Sequence, residues 1–461
     1  MKARRALALS VALVAGSIML HTATAARVGW SPSHEPPWLV MRGQAVTLAY
    51  GFHGNSRFPQ TGAIYVRNSL QRSFTRLALV KSSDLLVARV PARLVAGRRL
   101  VYYAVLRDPS SGRSVTILAA GARRPQRVWI VNRLLDVSLG THRFGRLRSP
   151  DAIVASTGPK DVGFECGKPS ACSSPASAPN EGCGCIDVLP QGPSSFDVAR
   201  NGSIWLLDEL NHRLLVWTSG HATRPARAIQ LPPALAYSDF ALGPNGTIYL
   251  FATDLGSGHR SLWALTPSGH VRWKAPIGNG VLRMGPGGLA YAVGAYEDDP
   301  AAWTPLTTAA GRPLSLAAQR SRTTRFQPLR GGLRLVTVWQ SSHEVRFALV
   351  NRGDTVVRAW RVRSKTQFGS AWRATPALVA GNLVVPLDFS RQVNGKSLAE
   401  HLIVRLAGGS VARQFALDAR VVFGDSNTYT APLRIGPDGR LYQLRTEPKT
   451  GASVARYSLG R

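Results

Sequence analysis

The sequence predicts an all-β protein, with an N-terminal antiparallel β-sandwich followed by a six-bladed β-propeller whose last sheet has a 3+1 strand closure. Three observations predict it. The 461 residues include 44 Gly and 30 Pro, which is typical of many short strands joined by turns. Residues 36–131 alternate polar and apolar positions, and glycine turns then recur at intervals in the forties. The chain is also too long for one ordinary core.

The first 25 residues predict the signal peptide of an exported bacterial protein. Basic Lys2, Arg4 and Arg5 precede an apolar run at residues 6–20, and residues 23–25 fit the small-residue cleavage pattern. No later stretch reaches 18 uninterrupted apolar residues, so we predict no transmembrane segment after cleavage. We expect a secreted or cell-envelope protein. If the segment is retained, it acts as an N-terminal anchor.

Residues 26–133 are predicted to form the sandwich. Seven short stretches with period-2 alternation are separated by turn residues: AVTLAYGF, GAIYVRN, SFTRLALV, LLVARVP, RRLVYYAVLRD, RSVTIL and QRVWIV. The stretch GRRLVYYAVLRDPSSGRSV resembles the late hairpin of fibronectin-like or immunoglobulin-like modules. That resemblance implies a two-layer antiparallel arrangement.

Positive charge is concentrated in this first module. The chain has a formal net charge of +32, and residues 26–133 contain 17 Lys and Arg against three Asp and Glu. Such a field attracts anionic polymers and surfaces, with strong salt dependence. The candidate anion-contact residues are Arg98, Arg99, Arg123, Arg124 and Arg127. If they share a face, that face binds anions; if they alternate around the sandwich, they only solvate it.

All four cysteines lie in an insert at residues 163–190 of the second module. An even number of cysteines in an exported chain favours disulfide bonds, so we predict two among Cys166, Cys172, Cys183 and Cys185. A bond between Cys183 and Cys185 would strain a very short ring, so the other two pairings are favoured. The alternative is a four-thiolate zinc site, although the Cys-x-x-Cys spacing typical of such sites does not occur.

Glycine turns mark six similar units in residues 134–461. The marker glycines are Gly202, Gly246, Gly288, Gly332, Gly381 and Gly439, of which the first four are spaced by 44, 42 and 44 residues. One tight turn per unit at this period is typical of propeller blades of four strands each.

The predicted strands of the first unit are residues 195–199, 203–207, 213–217 and 226–229, and those of the second are 238–242, 247–251, 260–265 and 271–275. The last unit ends one strand short. Residues 135–139, LDVSL, are predicted to complete its sheet, which would leave no open edge in the ring.

The stretch FDVARNGSIWLLDELNHRLLVW, residues 196–217, places Asp208, Asn211, His212 and Arg213 close together. It resembles an NHL repeat, because Asn211, His212 and Leu214 match the Asn-His-Leu pattern with Arg213 inserted. The resemblance implies that the Asp, Asn and His are structural and that binding is the commonest role. Asp and Asn side chains also bond backbone N–H groups in turns. We predict a structural turn here; catalysis by this cluster is the alternative.

The sequence contains no phosphate loop, no Gly-x-Ser-x-Gly elbow and no His-Glu-x-x-His motif. We therefore assign no catalytic, cofactor-binding or metal-ligating residue. We predict a non-catalytic binding protein whose partner is a protein, a carbohydrate or an anionic envelope polymer, with no specific nucleic acid. The alternative is a propeller enzyme, such as a lyase or a lactonase-like hydrolase, whose His, Asp or Glu converge on the axis as a metal or acid/base site.

Overall fold

The computed structural model describes residues 30–460 except 55–57, 110–111, 113, 118–120, 124, 166–174, 181–182, 186–190, 219–221, 233–234, 255, 279, 295–301, 370–374, 395 and 420–431. Within these ranges the regular structure is 35 β-strands, one α-helix and a few 3-10 turns, which confirms the predicted all-β class. The chain forms two compact units. One is Met1–Leu134 with Gly353–Ala359, and the other is Leu135–Arg352 with Trp360–Arg461.

Nine strands are described in the first unit, and the alternation pattern predicts seven of them. The strands are β1 (Trp30–Ser33), β2 (Leu39–Met41), β3 (Val46–Gly54), β4 (Gly62–Asn68), β5 (Thr75–Ser82), β6 (Leu85–Val90), β7 (Arg99–Arg107), β8 (Ser114–Ile117) and β9 (Gln126–Val131). The two short strands β1 and β2 contain too few residues for a period-2 pattern to reveal them.

These strands follow one hydrogen-bonded path in the order β1-β3-β6-β5-β4-β7-β9-β2, with β8 paired to β7. Every second side chain of β4 and β7 points inward, so that Ile64, Val66, Leu100 and Tyr102 are almost fully buried. They share one core with residues of β3 and β6, such as Leu48. The two-layer sandwich itself stays a prediction.

Four strands of the second unit precede its first blade. They are β10 (Leu135–Ser138), β11 (Ala152–Thr157), β12 (Pro175–Asn180) and β13 (Cys183–Cys185). Six larger sheets follow, and they are the blades of a six-bladed propeller.

The first three blades follow one another along the chain. The first contains β14 (Ser195–Val198), β15 (Ile204–Asp208), β16 (Arg213–Trp217) and β17 (Arg227–Gln230). The second contains β18 (Leu235–Leu242), β19 (Ile248–Asp254), β20 (Arg260–Leu265) and β21 (Val271–Pro276). The third contains β22 (Val281–Met284), β23 (Ala290–Val293) and β24 (Trp303–Pro305). The predicted strands of the first two blades overlap the observed ones closely.

The fourth blade contains β25 (Phe326–Pro328), β26 (Arg334–Ser341), β27 (Glu344–Val350) and β28 (Val356–Arg363). The fifth contains β29 (Ala377–Val379), β30 (Asn382–Val393), β31 (Lys396–Ala407) and β32 (Ser410–Asp418). The sixth contains β33 (Leu433–Ile435), β34 (Leu441–Glu447) and β35 (Gly451–Tyr457).

The marker glycines of the six units share one backbone conformation. Their φ angles lie between 73° and 80°, the left-handed region in which a side chain is strained, at Gly202, Gly246, Gly288, Gly332, Gly381 and Gly439. Each occupies the turn between the first two strands of its blade. The sequence period therefore reflects a repeated requirement for glycine at one position of the blade.

The prediction that residues 135–139 complete the last sheet is wrong. Leu135–Ser138 instead pairs in parallel with β28, and adds a fifth strand to the fourth blade. The strand beside β35 is β11, in antiparallel register. Between β10 and β11 the chain passes the fifth blade, where Leu147 forms a bridge with Ala416 of β32. The alternating pattern of residues 135–139 predicts a strand, but it does not predict which sheet that strand joins.

The expectation of four strands in every unit is also wrong for the third blade, whose described sheet has three. After β24 the chain forms helix α1 (Leu316–Arg322), which packs beside β24. Ser315 caps this helix, because its hydroxyl accepts a hydrogen bond from the N–H of Ala318 at 3.3 Å.

The disulfide prediction falls mostly outside the described residues. Cys166 and Cys172 lie there entirely. For Cys183 and Cys185 the structure describes only the backbone, which forms β13 and pairs with β12. Disulfide bonding and its alternative, zinc, therefore stay predictions.

We expect the pairing of β11 with β35 to make Gly451→Ala strongly destabilising. Gly451 has φ 92°, and an added Cβ would collide with backbone atoms of Thr157, Gly158 and Pro159. The matched control is Gly408→Ala, because Gly408 has φ 60° but an added Cβ would meet no atom of the described residues within 4 Å. The control should cost about 1–2 kcal/mol of unfolding free energy, and Gly451→Ala about 2 kcal/mol more, measured by chemical denaturation. Equal losses would contradict this pairing.

Candidate functional site

Among the residues that the structure describes, the first strand of each blade pairs with one neighbouring strand only. Its other edge faces the propeller axis and carries backbone N–H and C=O groups that no strand pairs. These strands are β14, β18, β22, β25, β29 and β33. Because a buried N–H without an acceptor is costly, this edge needs side-chain partners.

Two aspartates bond the inner edge of the next blade. Asp197 on β14 accepts a hydrogen bond from the backbone N–H of Leu242 at 2.8 Å. Asp239 on β18 accepts one from the backbone N–H of Leu282 at 2.7 Å. Asp239 has no exposed surface. The two carboxylates therefore connect the first blade to the second, and the second to the third, in the same way.

Two arginines from other blades approach the same carboxylate. Arg283 on β22 and Arg434 on β33 each place a guanidinium nitrogen 3.5 Å from an oxygen of Asp239. Arg283 also donates to the hydroxyl of Thr375 at 3.1 Å, and Arg434 donates to the carbonyl of Phe196 at 3.1 Å. Both arginine side chains are almost completely buried. Strands far apart in sequence thus meet at one buried acid.

Burial shifts the ionisation of these groups. It raises the pKa of Asp197 above its usual value, although the positive charge of Arg434 opposes the shift. Burial, followed by repulsion from Arg434, lowers the pKa of Arg283 to about 9, while Asp239 opposes that change. A buried charge without its partner is strongly destabilising, so the members of this axial cluster depend on one another.

The axial cluster consists of Asp197, Asp239, Arg283 and Arg434, and the hydrogen bonds of Asp239 indicate a structural role for it. Besides its contacts with Leu282 and the arginines, Asp239 accepts from the Ser195 hydroxyl at 2.5 Å and from the Phe240 N–H at 2.9 Å. Both carboxylate oxygens are therefore already acceptors for the protein itself. This arrangement can hold the blades in register.

Sequence reasoning missed the axial cluster, although the repeat contains a signal for it. The position five residues before the marker glycine is occupied by Asp197, Arg283, Gln327 and Arg434 in four of the six units. Gln327 likewise bonds across blades, donating to the carbonyl of Pro376 at 2.7 Å. A polar residue repeated inside an otherwise apolar inner strand would have indicated this axis.

The predicted NHL-like turn surrounds Asp208, which has no exposed surface. One of its carboxylate oxygens accepts from the N–H of Gly163 at 2.9 Å, and the other accepts from Asn211 at 2.9 Å and from Arg213 at 2.8 Å. Arg213 also donates to the carbonyl of Asp161. The structure thus brings together Asp208, Asn211 and Arg213, three of the four predicted residues. Their hydrogen bonds connect the first blade to the preceding segment at residues 161–163.

His212 takes a different part in this turn. Its φ of 48° places it in the left-handed region, and its ring lies edge-on to Tyr237 of the second blade, with centroids 6.1 Å apart. Close packing also explains Gly163, where an added Cβ would lie 2.5 Å from the Cβ of Leu210. These contacts are those of a tightly packed turn between blades.

The adjacent Glu209 was not singled out by the sequence. Its carboxylate accepts from the Ser194 hydroxyl at 3.1 Å, and burial raises its pKa to about 7, helped by the nearby charge of Asp208. A carboxyl group that titrates near neutral pH is a typical feature of acid/base sites, although structural networks also produce such shifts.

Two histidine–carboxylate pairs, each with one member on β31 of the fifth blade, were also missed. His142 and Glu400 approach to 2.7 Å, and the His142 ring stacks on Phe389 with centroids 4.5 Å apart. His401 and Asp388 approach to 2.6 Å, and the Nε2 of His401 has no hydrogen-bond partner among the residues that the structure describes. Glu400 and His401 are adjacent in sequence, so they point to opposite faces of the sheet.

The predicted anion-contact arginines are only partly grouped. Arg99 and Arg127 both approach Asp354, at 2.9 and 3.9 Å. Arg98 and Arg123 are exposed, and Arg124 lies outside the described residues. Asp354 therefore neutralises part of the charge that the sequence assigned to this group.

A cleft of about 560 Å³ lies between the marker turns of the third and fourth blades. Its lining is mostly glycine and apolar, with Tyr291, Arg334 and Arg352 as the larger polar residues. Over the ranges that the structure covers, no group of three or more His, Cys, Asp and Glu could hold a metal ion.

No protein-family model matches the sequence, and no curated protein matches it. Among solved structures, the chain is similar to extracellular domains 1–2 of Drosophila Semaphorin 1b, with 9% identity and a TM-score of 0.26. The match covers 55% of each chain, so it spans about half of the semaphorin chain. The chain is also similar to a quinonprotein alcohol dehydrogenase-like protein from Bacteroides thetaiotaomicron, with 10% identity, a TM-score of 0.23 and coverage of 93% of this chain and 94% of that one.

The role of Asp208 can be tested against Asp254, the equivalent aspartate of the second blade. Asp254 ends the second strand of the second blade as Asp208 ends that of the first. Asp254 is exposed, however, and its described side-chain bonds stay within its own turn, to the N–H groups of Gly256 and Ser257 and to the Ser257 hydroxyl. We expect Asp208→Ala to lower the free energy of unfolding by about 3 kcal/mol, because Arg213 loses its carboxylate partner and the half-buried N–H of Gly163 loses its acceptor.

Asp254→Ala should leave the stability little changed, because solvent can replace the lost bonds. Thermal and urea denaturation of both variants provide the measurement. Similar losses for the two variants would show that the first-blade turn is no more than a local cap.

Proposed function

We propose that this protein is an exported, non-catalytic binding protein. The observation that carries the proposal is the internal pairing of the axial cluster. The acid Asp239, which lies where a propeller enzyme would hold reacting groups, is bonded to Leu282, Ser195 and two arginines. A lyase or a lactonase-like hydrolase would need axial acids that are available to a substrate or a metal.

The first unit supplies the binding charge in this proposal. Of the three acids in residues 26–133, Asp108 is buried and accepts from the Trp30 indole at 3.2 Å, while Glu35 and Asp84 are exposed. A fourth acid of this unit, Asp354, approaches Arg99 and Arg127. Against these acids stand 17 cations in residues 26–133. Exposed arginines at this density attract polyanions over distances of about one Debye length, about 8 Å at physiological ionic strength. The partner is therefore an anionic envelope polymer or surface.

Export follows in this proposal from the basic and apolar segment at residues 1–25, which lies outside the described residues. In the part of the chain that the structure covers, no helix is long and apolar enough to cross a membrane. The proposal includes two disulfides among the four clustered cysteines and a 3+1 closure of the last blade by β11, which the pairing of β11 with β35 supports.

The alternative function retains one supporting observation, which is the carboxyl group of Glu209. Its pKa of about 7 suits a general acid or base near neutral pH. It lies beside the Asp208 turn, and it accepts hydrogen bonds from the Ser194 hydroxyl and the Gly192 backbone N–H. A catalytic role would require this residue to contact a substrate.

Binding to a polyanion tests the proposal. The full mature chain is titrated with poly-L-glutamate at low and high salt, beside the variant Arg98→Gln/Arg123→Gln/Arg127→Gln. The matched control is Arg224→Gln/Arg312→Gln/Arg330→Gln, which removes the same charge from exposed positions of the second unit.

We expect the first-unit variant to weaken binding roughly tenfold or more at low salt, and the control to weaken it much less. Binding by the unchanged chain should fall steeply with salt, because the charges are screened. If both variants weaken binding equally, the charge acts only as a general solvating surface. If the chain does not bind poly-L-glutamate at low salt, the proposed function is wrong.

A further inference from the structure

One face of the first unit combines aromatic rings and cations in adjoining rows. β5, β4 and β7 are neighbours in that order, and their register places Arg76 beside Tyr65 and Tyr65 beside Tyr103. Their neighbours Ile64 and Tyr102 point into the core, so alternation directs this row outward. We name the surface the aromatic–arginine face; it consists of Tyr65, Arg67, Phe74, Arg76, Ala78, Val80 and Tyr103.

The rings of this face fix one another. Tyr65 and Tyr103 stack with centroids 4.9 Å apart and planes 6° from parallel. Phe74 lies edge-on to Tyr103 at 5.1 Å, and the guanidinium of Arg67 lies 4.8 Å above the Phe74 ring. Arg67 also donates to the carbonyl of Arg72 at 2.9 Å. Rigid aromatic groups lose little conformational entropy when they bind, so such a face is organised before a ligand arrives.

The charge of these strands has one sign. β4, β5 and β7 contain no Asp or Glu, and their cations are Arg67, Arg76, Lys81, Arg99 and Arg107. Beside the exposed Arg76, the same side of β5 presents Ala78, which is exposed, and Val80, which is 63% exposed. Apolar side chains, a cation and the tyrosine edges therefore lie side by side on one small area of the sheet.

We propose that the aromatic–arginine face binds an acidic polysaccharide. This inference rests on the proposed function and names the ligand class and the residues. A uronic acid ring presents carboxylate, hydroxyl and C–H groups close together. Arg76 suits the carboxylate through charge-assisted hydrogen bonds, the Tyr65 and Tyr103 hydroxyls suit the sugar hydroxyls, and Ala78 with Val80 suits the C–H face.

The geometry favours a polysaccharide over single-stranded nucleic acid. Proteins bind unpaired bases by stacking them on an open aromatic face. Here the facing sides of Tyr65 and Tyr103 cover each other, and Arg67 covers one side of Phe74. The tyrosine pair therefore offers hydroxyl-bearing edges, which suit a polyhydroxylated chain.

The experiment uses the full mature chain and three probes: polygalacturonate, poly-L-glutamate and a single-stranded oligodeoxythymidylate. The main variant is Tyr65→Phe/Tyr103→Phe, which preserves the stacked rings and removes only the two hydroxyls. The second variant is Arg76→Gln. Its matched control is Arg89→Gln, which removes the same charge from an exposed position on β6 of the same unit.

We expect the double Phe variant to weaken polygalacturonate binding about fivefold to tenfold, with poly-L-glutamate binding and the melting temperature unchanged. Arg76→Gln should weaken polygalacturonate binding several-fold more than Arg89→Gln does. The inference is overturned, with the proposed function intact, if polygalacturonate binds no better than poly-L-glutamate and the double Phe variant changes neither.

Two further outcomes are informative. If the double Phe variant weakens oligodeoxythymidylate binding as much as polygalacturonate binding, the face does not select sugars and the inference is overturned. If poly-L-glutamate does not bind while polygalacturonate binds and responds to the double Phe variant, the inference holds and the general polyanion function fails.

Discussion

The propeller depends on how its inner strands satisfy the backbone N–H groups that face the axis. The carboxylate of Asp197 accepts a hydrogen bond from the backbone N–H of Leu242, and that of Asp239 accepts one from Leu282. Each of these N–H groups lies on the next blade. A carboxylate buried for this purpose must itself be neutralised, and the arginines of the third and sixth blades approach Asp239. Side chains thus connect the inner strands of neighbouring blades at the axis, while β11 pairs with β35 in the sheet of the sixth blade.

This use of charge has a consequence for the rest of the chain. The second unit places acids where they bond its own backbone or its own arginines, as Asp208 does in the first blade. The first unit has few acids to place, so many of its arginines remain exposed. Different residues therefore serve stability and the proposed binding. Paired charges stabilise the propeller, and exposed cations beside the edges of two tyrosines form the proposed ligand face.

Part of this could be predicted from the sequence. The blade period was visible because each inner hairpin needs a glycine with positive φ, as at Gly202 and Gly439. Alternation likewise placed Tyr65 and Tyr103 on strands. The rest depends on which strands meet. Nothing local indicates that Asp239 lies beside Arg434, or that residues 135–138 join the fourth blade and not the sixth, because strand partners far apart in sequence are set by the whole fold.

The central claim is that the axial acids serve as backbone acceptors between blades. Native-state hydrogen exchange at the amides of Leu242 and Leu282 tests it most directly. Both amides should be protected as strongly as those inside the strand ladders. Asp197→Ala should deprotect Leu242 but not Leu282, and Asp239→Ala should deprotect Leu282 but not Leu242. If both amides exchange freely in the unchanged protein, or if neither variant alters its own target, the axial cluster does not hold the blades together.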